Sequence, residues 1–387
     1  MTLTTWIQVA RSQSAHSPSQ IRIATYNASL YGKQAGEIHE RLRDGTDVHA
    51  INVARVVQTV RPDVLLINEI DYDDDGRTAS VLNEQYFGRS QADLQAIEYP
   101  HVYAVPSNTG VDSRLDLNQN TVVGEPNDAW GFGVYPGQYS MAIYSRFPID
   151  ADGIRTFQKF LWKDLPGAMR PVDPTTNQPY HSDAIWDRLR LSSKNHVDVP
   201  IRIGTFTLHV LASHPTPPVF DGPEDRNGCR NHDEIQFWSE YLQGESATAL
   251  VDDQGRAGGL NAGQSFVIMG DLNADSFDGD GKRGAINRLI AHPRVQDPEP
   301  KSEGAVEASR GQNASAKQKG DPALDTANFG GNMRVDYVLP CRTLTVKQSG
   351  VVWPRRDAKN FDMISTSDHR MVWVDVMLPE SGDAAHD

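Results

Sequence analysis

Cysteine is nearly absent from this 387-residue chain: Cys229 and Cys341 are the only two, far apart and without metal-site spacing. A disulfide-built scaffold is therefore excluded; one bridge would need the fold to bring the two together, and two buried thiols are expected. Long apolar runs are missing too. No stretch reaches the roughly 18 consecutive apolar residues of a membrane span, so no transmembrane segment is expected. Basic residues are in deficit, with 37 Lys and Arg against 51 Asp and Glu and a net charge of −14. Such a chain repels polyanions unless a local patch overrides the balance, and no run of Lys and Arg supplies a track for a nucleic-acid backbone. Internal repeats and clean linkers are also lacking. That favours one domain with insertions over two, in a chain long enough to bury a sizeable core.

The ends carry little. Residues 1–20 hold one mildly apolar piece, 3–10, with no basic segment before it. They read as a flexible lead-in and not as a secretory signal peptide, and an extracytoplasmic location would need a leader outside the given sequence. Residues 379–387 read as a frayed tail, leaving 21–378 as the domain.

What the chain does contain is a recurring pattern, an apolar strand that ends on a polar side chain. Phe266-Val-Ile-Met-Gly-Asp-Leu-Asn273 is a buried strand delivering Asp271 and Asn273. Gly270 lets the backbone turn where the strand stops, and side chains two apart on extended backbone face one pocket. Taken alone, the segment reads best as a strand ending in an Asx-turn. The pattern then repeats. A strand over 21–27 ends on Asn27, one over 63–69 ends on Glu69, and strand structure over 201–213, as one bent strand or two, ends at His214. A strand over 333–339 carries Asp336, and Ser365-Thr-Ser-Asp-His369 leads into a last strand over 371–377. Between these, 48–60 is an amphipathic helix with Val53, Val56, Val57 and Val60 on one face, stopped by Arg61-Pro62. Further helices are expected over 231–242 and 285–291, and another strand over 139–145.

Three stretches read as insertions: 107–137, 160–200 and 298–322, the last a solvated loop. The second carries Lys163, Arg170, Arg188, Arg190, Lys194 and His196 and is the most cationic part of an acidic chain. An ordinary mixed surface and a grip on an anionic substrate explain it equally well. Arg226, Arg230, Asn231 and His232 stand at the expected entrance of the 231–242 helix, where a positive dipole end can assist an anion. Candidate substrate contacts are thus Arg230, Asn231, Lys194 and His196. Asp71-Tyr-Asp-Asp-Asp-Gly76 resembles half a calcium loop, but Leu82 stands where the twelfth position needs a carboxylate, so a solvated acidic turn is the expectation. Asp278-Gly-Asp-Gly281 is read the same way.

The ordered set Asn27, Glu69, His214, Asp271 with Asn273, Asp336 and Ser367-Asp368-His369 resembles the endonuclease/exonuclease/phosphatase superfamily. The Gly-Asp-Leu-Asn, Arg-Val-Asp-Tyr-Val-Leu and Ser-Asp-His segments are its most specific marks. The resemblance implies an α/β fold: a DNase I-like four-layer α-β-β-α sandwich, two packed mixed β-sheets with helices outside. It also implies divalent-metal-dependent hydrolysis of phosphoester bonds. Mg²⁺ is the simplest cation, with Mn²⁺ or Ca²⁺ as alternatives, held by Asn27, Glu69 and Asp368. His369 would be the acid/base group oriented by Asp336; Asp271 and Asn273 would position the water, and His214 would contact a non-bridging oxygen. The acidic charge favours small or medium phosphoesters, diester or monoester, over DNA or RNA as substrate. A non-catalytic binding module on the same fold would be expected to lose Glu69, Asp271 or His369, and all three are present.

Overall fold

The computed structural model of the protein describes residues 18–310 and 318–379. The main strands are β1 (Gln20–Leu30), β2 (Val64–Ile70), β3 (His101–Val105), β4 (Ser140–Ser145), β5 (Arg155–Thr156), β6 (His196–Ile203), β7 (Phe206–Ser213), β8 (Ser265–Asp271), β9 (Asp336–Pro340), β10 (Thr345–Val351) and β11 (Val372–Met377). They form a six-stranded sheet in the order β10-β11-β1-β2-β4-β3 and a five-stranded one in the order β9-β8-β7-β6-β5. Both sheets are mixed: β1 runs parallel to β2, and β7 to β8, while the remaining neighbours are antiparallel. The central strand β1 meets β8 and β9 across the interface between the sheets. Covered on both faces, β1 is buried at nearly every position from Ile21 onward and β2 throughout most of its length. That is why β2 begins as a continuous apolar run, whereas β1 keeps polar Thr25 and Asn27 buried among its apolar residues.

The helices are α1 (Glu37–Leu42), α2 (Val48–Val60), α3 (Arg77–Leu82), α4 (Asp183–Trp186), α5 (Arg226–Tyr241), α6 (Arg283–Ile290) and α7 (Glu303–Arg310). In α2 the stripe Val53, Val56, Val57 and Val60 is buried, as its spacing predicts. Asp47 caps its start by accepting the Ala50 N–H at 2.9 Å, and Arg61, in the left-handed region at φ 55, ends it. On the other sheet α5 lies against α6, and its Trp238 indole donates to Ser213 Oγ of β7 at 2.9 Å.

Several boundaries differ from the sequence expectation. The helix expected from Asn231 already begins at Arg226, because Asp221, five places upstream of Arg226 in sequence, reaches in to accept the Asn227 N–H at 2.6 Å. His196 to Pro200 belong not to an insertion but to β6, which pairs with β7 in a hairpin, so the segment 201–213 is two strands. Within 298–322 the chain forms α7, whose Ala305 and Ala308 are buried; residues 311–317 lie outside the described set, as do 1–17 of the lead-in and 380–387 of the tail. The acidic turn at Asp71 is not simply solvated: the buried Asp71 carboxylate accepts from Gly32 N–H and Tyr135 O–H, and Asp73 accepts from the Arg77 and Thr78 N–H groups that start α3. Both cysteines are buried free thiols.

Candidate active site

Two carboxylates meet because two strands pair in one register. β8 and β9 run antiparallel with Asp271 directly opposite Asp336. Gly270, just before, does not end the strand; it lies within β8 at φ 149, and a Cβ there would stand 2.0 Å from Ser213 O of β7. Only glycine allows this approach. Its consequence is that His214, the residue after β7, comes beside Asp271, with Nε2 at 3.4 Å from Oδ2.

His369 reaches the same point from the turn before β11. Ser367 Oγ donates to Asn27 O at 2.8 Å and accepts the His369 N–H at 3.0 Å, tying that turn to β1. Arg370 donates to Ser367 O and His369 O, and its guanidinium lies 4.6 Å over the Trp353 ring. So fixed, His369 pairs Nδ1 with Asp336 Oδ2 at 2.9 Å and sets Nε2 3.6 Å from Asp271 Oδ2. Thr326 Oγ1 donates to the same Asp336 oxygen at 2.8 Å, while Asp336 Oδ1 has no hydrogen-bond partner among the described residues.

The first sheet contributes Asn27 and Glu69. Its β1–β2 register shifts at Asn27 to Leu30, and both β-ladders of β2 shift between Asn68 and Ile70. Ser29 and Glu69, at φ 50 and 56, are the bulged residues, and the bulge re-aims the Glu69 side chain. Asn27 Nδ2 donates to Asp271 Oδ2 at 3.0 Å and also bonds the Glu69 carboxylate, while its Oδ1 accepts from Ser29 N–H. Asn27 thus presents its amide N–H, not its carbonyl oxygen, to the two carboxylates.

The charges sort themselves by these contacts. Burial disfavours a charged His369, but Asp336 and Asp271 outweigh it and hold the imidazole well above its usual range, as imidazolium. Burial would raise Asp271 as well; His369 together with the His214 and Asn27 hydrogen bonds reverses this and keeps it ionised. Burial pushes Asp336 and Glu69 up. His214 is driven down to about 4 by burial and by Lys194, and is neutral.

Lys194 is the one candidate substrate contact brought to this centre. It is 6 % exposed, and burial lowers its pKa against the opposing charges of Glu234, Glu69 and Asp271. Its segment is pinned by Glu234 of α5, whose carboxylate accepts from Ser193 N–H at 2.6 Å and Thr216 N–H at 2.7 Å. The other three go elsewhere. His196 is fully buried in β6, bonded to Ser192 Oγ and Glu234 O. Arg230, inside α5, donates to the carbonyls of Leu191, Trp130 and Arg190, and Asn231 donates to those of Thr216 and Leu272. Neither stands at a helix entrance. Asn273 lies beyond β8 at φ 49, so strand alternation does not pair it with Asp271; its N–H completes an Asx-turn to Asp271 Oδ1 at 2.9 Å, and its amide donates to Pro215 O. Sequence reasoning missed Thr326, Glu234, Arg370 and Phe329, whose ring lies 5.1 Å from His369. No local pattern marks any of the four.

The family model of the Endonuclease/Exonuclease/phosphatase family matches residues 24–369, from the second half of β1 to the histidine just described. The chain belongs to this family. An endonuclease/exonuclease/phosphatase from Beutenbergia cavernae superposes with a TM-score of 0.51 at 17% identity, covering 93% of this chain and 72% of that one. A family protein from Leptotrichia buccalis gives 0.48 at 16% identity, over 92% and 100%. The former likeness bears on the fold alone, which is the DNase I-like arrangement of two mixed sheets and outer helices. No curated protein matches the chain.

Endonuclease/exonuclease/phosphatase proteins generally use divalent metals, and the donor chemistry here suits one. Glu69 offers a hard carboxylate that takes part in no salt bridge among the described residues, and burial leaves it short of compensating charge. Asp368, with its side chain half exposed and Oδ1 4.0 Å from His369 Nε2, offers a second. Asp271, Asp336 and His369 also place one ligating atom each within 4.8 Å of one another. That cluster is already accounted for by the proton-rich imidazole lying between two aspartates, so Glu69 and Asp368 are the better-matched donors.

Proposed function

We propose that the protein hydrolyses phosphoester bonds in small or medium substrates, diester or monoester, with the help of a divalent cation. The observation that carries this reading is the convergence on Asp271 Oδ2 of Asn27 Nδ2, His214 Nε2 and His369 Nε2, with Lys194 and Glu69 alongside. Such a hub fixes one ionised carboxylate in a donor-rich, water-poor site. Glu69 and Asp368 would hold Mg²⁺, or Mn²⁺ or Ca²⁺ in its place, and the bound cation would polarise the phosphoryl group and stabilise charge on the leaving oxygen.

The chain's own residues do the rest. Asp271, oriented by Asn27 and His214, accepts a hydrogen bond from the attacking water and aims its oxygen at phosphorus. Phosphoryl transfer has a loose transition state in which the water's proton leaves late, so a weak base suffices for Asp271 to receive it. The His369 imidazolium, charged because Asp336 stands behind it, and the Lys194 ammonium stabilise the negative phosphoryl oxygens. Thr326 and Ser367 act through Asp336 and the His369 turn, as positioning residues.

The test uses metal-stripped protein with Mg²⁺, Mn²⁺ or Ca²⁺ restored, on a chromogenic phosphodiester, the matching monoester and plasmid DNA, with His369→Ala as control. Metal-restored turnover of the small esters, lost in the variant, supports the reading. Nicking of DNA alone would make the protein a nuclease, and silence on all substrates with every metal would sink the catalytic reading.

A further inference from the structure

The described residues include five aromatic side chains that are large and exposed: Tyr31, Phe132, Phe220, Phe277 and Phe329, at 40%, 54%, 86%, 56% and 44%. They come from five separate segments, and every one borders the edge of the sandwich where the site opens. Tyr31 follows β1, Phe220 lies in the loop after His214, and Phe277 lies in the loop after Asn273. Phe329 tips the Ala327–Met333 hairpin beside His369. Phe132 lies next to Gly131, whose backbone packs on Ser193, the neighbour of Lys194. Val122, Val123 and Val134 are exposed in the same loop as Phe132.

These segments form a joined rim. Tyr135 and Gln138 both donate to Gly32 O, linking the 131–138 loop to the segment after β1, and the Tyr31 ring is 4.6 Å from Tyr139. On the other side a Cβ on Gly281 would meet Pro218 at 3.3 Å and one on Gly279 would meet the Met333 sulfur, so three loops abut. Scattered apolar side chains on a protein surface need no explanation, but aromatic rings gathered around one mouth do.

Charge narrows the occupant. The loops 106–139, 215–226 and 274–283 carry ten acidic residues, of which Asp128, Glu224 and Asp275 are buried; the seven at the surface stand against four basic ones, Arg114, Arg226, Lys282 and Arg283. An acidic rim repels nucleic acid and anionic bilayers. Carboxylates and aromatic faces both attract quaternary ammonium groups, the outermost charge of a phosphatidylcholine surface. We propose that this edge docks on a zwitterionic phospholipid surface, with the aromatic tips entering the headgroup layer and the acidic loops meeting its ammonium groups. The inference stands apart from the phosphoester reading, since binding is measured without turnover.

The experiment is co-sedimentation of the full chain with phosphatidylcholine vesicles, compared with the double variant Phe220→Ser, Phe277→Ser. Both side chains are exposed and neither belongs to the site, and an unchanged melting temperature shows that the variant folds. Wild-type protein should partition onto the vesicles and the variant about tenfold less, with weaker binding of both to phosphatidylglycerol vesicles. No wild-type binding, or equal binding by the variant, overturns the proposal. So does tighter binding to a single-stranded oligonucleotide than to vesicles, or a phenylalanine-dependent dimer in sedimentation velocity.

Discussion

His369 is held charged from two sides, by Asp336 at Nδ1 and Asp271 near Nε2. Replacing it with alanine is expected to lower kcat on the chromogenic diester by roughly 10²–10⁴-fold while circular dichroism stays unchanged. Asp336→Asn removes one of the charges that raise the imidazole, so the alkaline limb of the pH–rate profile should move to lower pH; an unmoved limb would argue against His369 as the charged group. His196 makes a different prediction, on stability. Burial takes its pKa from 6.5 down to about 4, so the unfolded chain binds a proton that the folded chain refuses between those values. Stability is therefore lost as pH falls through this window. From this one group the loss is about 2 kcal/mol at pH 5 relative to pH 8, readable from urea midpoints and reduced in His196→Gln if the packing survives. At this scale the sequence is an uneven guide. Asn27, Glu69, Asp271, Asp336 and His369 stand out because each adjoins an apolar run or a marked turn. Arg230, Asn231 and His196 mislead because a polar residue buried by backbone carbonyls 15 to 100 positions away looks, in sequence, like one aimed at a ligand.

The elements impose their own constraints. Gly270 sits where β7 and β8 approach too closely for a Cβ, and Gly270→Ala is expected to cost about 3 kcal/mol or more, measured by chemical denaturation. Asp47→Ala, which uncaps α2 and releases the partly exposed Arg41 ion pair, should cost about 1 kcal/mol. The contrast separates a site-building glycine from an ordinary helix start. Helix α2 is legible because its cap, stripe and stop are all local. The start of α5 is not, since its cap comes from Asp221 across a loop, and neither is the aim of Glu69, which depends on a bulge shared by three strands. The Asp271–Asp336 register is likewise a property of two strands more than 60 residues apart, and neither strand states it alone.

At the scale of the whole molecule, the layered fold follows from the alternation of apolar strands with helices, whereas the mouth of the site is built by irregular loops whose paths no periodicity fixes. If Glu69 and Asp368 hold a divalent cation, adding it should raise the melting temperature, by about 2.7 kcal/mol of added stability at a hundredfold excess over Kd. Glu69→Ala should abolish that rise, and a rise that persists would place the cation elsewhere.

The central strand β1 of the first sheet has β2 on one side and β11 on the other, and the turn that carries His369 is fastened to Asn27 O. During synthesis, β1 must therefore wait for more than 300 further residues before its second neighbour exists. A nascent chain can assemble β1 with β2 and β4 early, yet it has no His369 to pair with Asp336 until more than 300 residues beyond β1 have been made. Reactivity is thus withheld until β11 has been made, and the folding step that seats β11 beside β1 is also the one that completes the site.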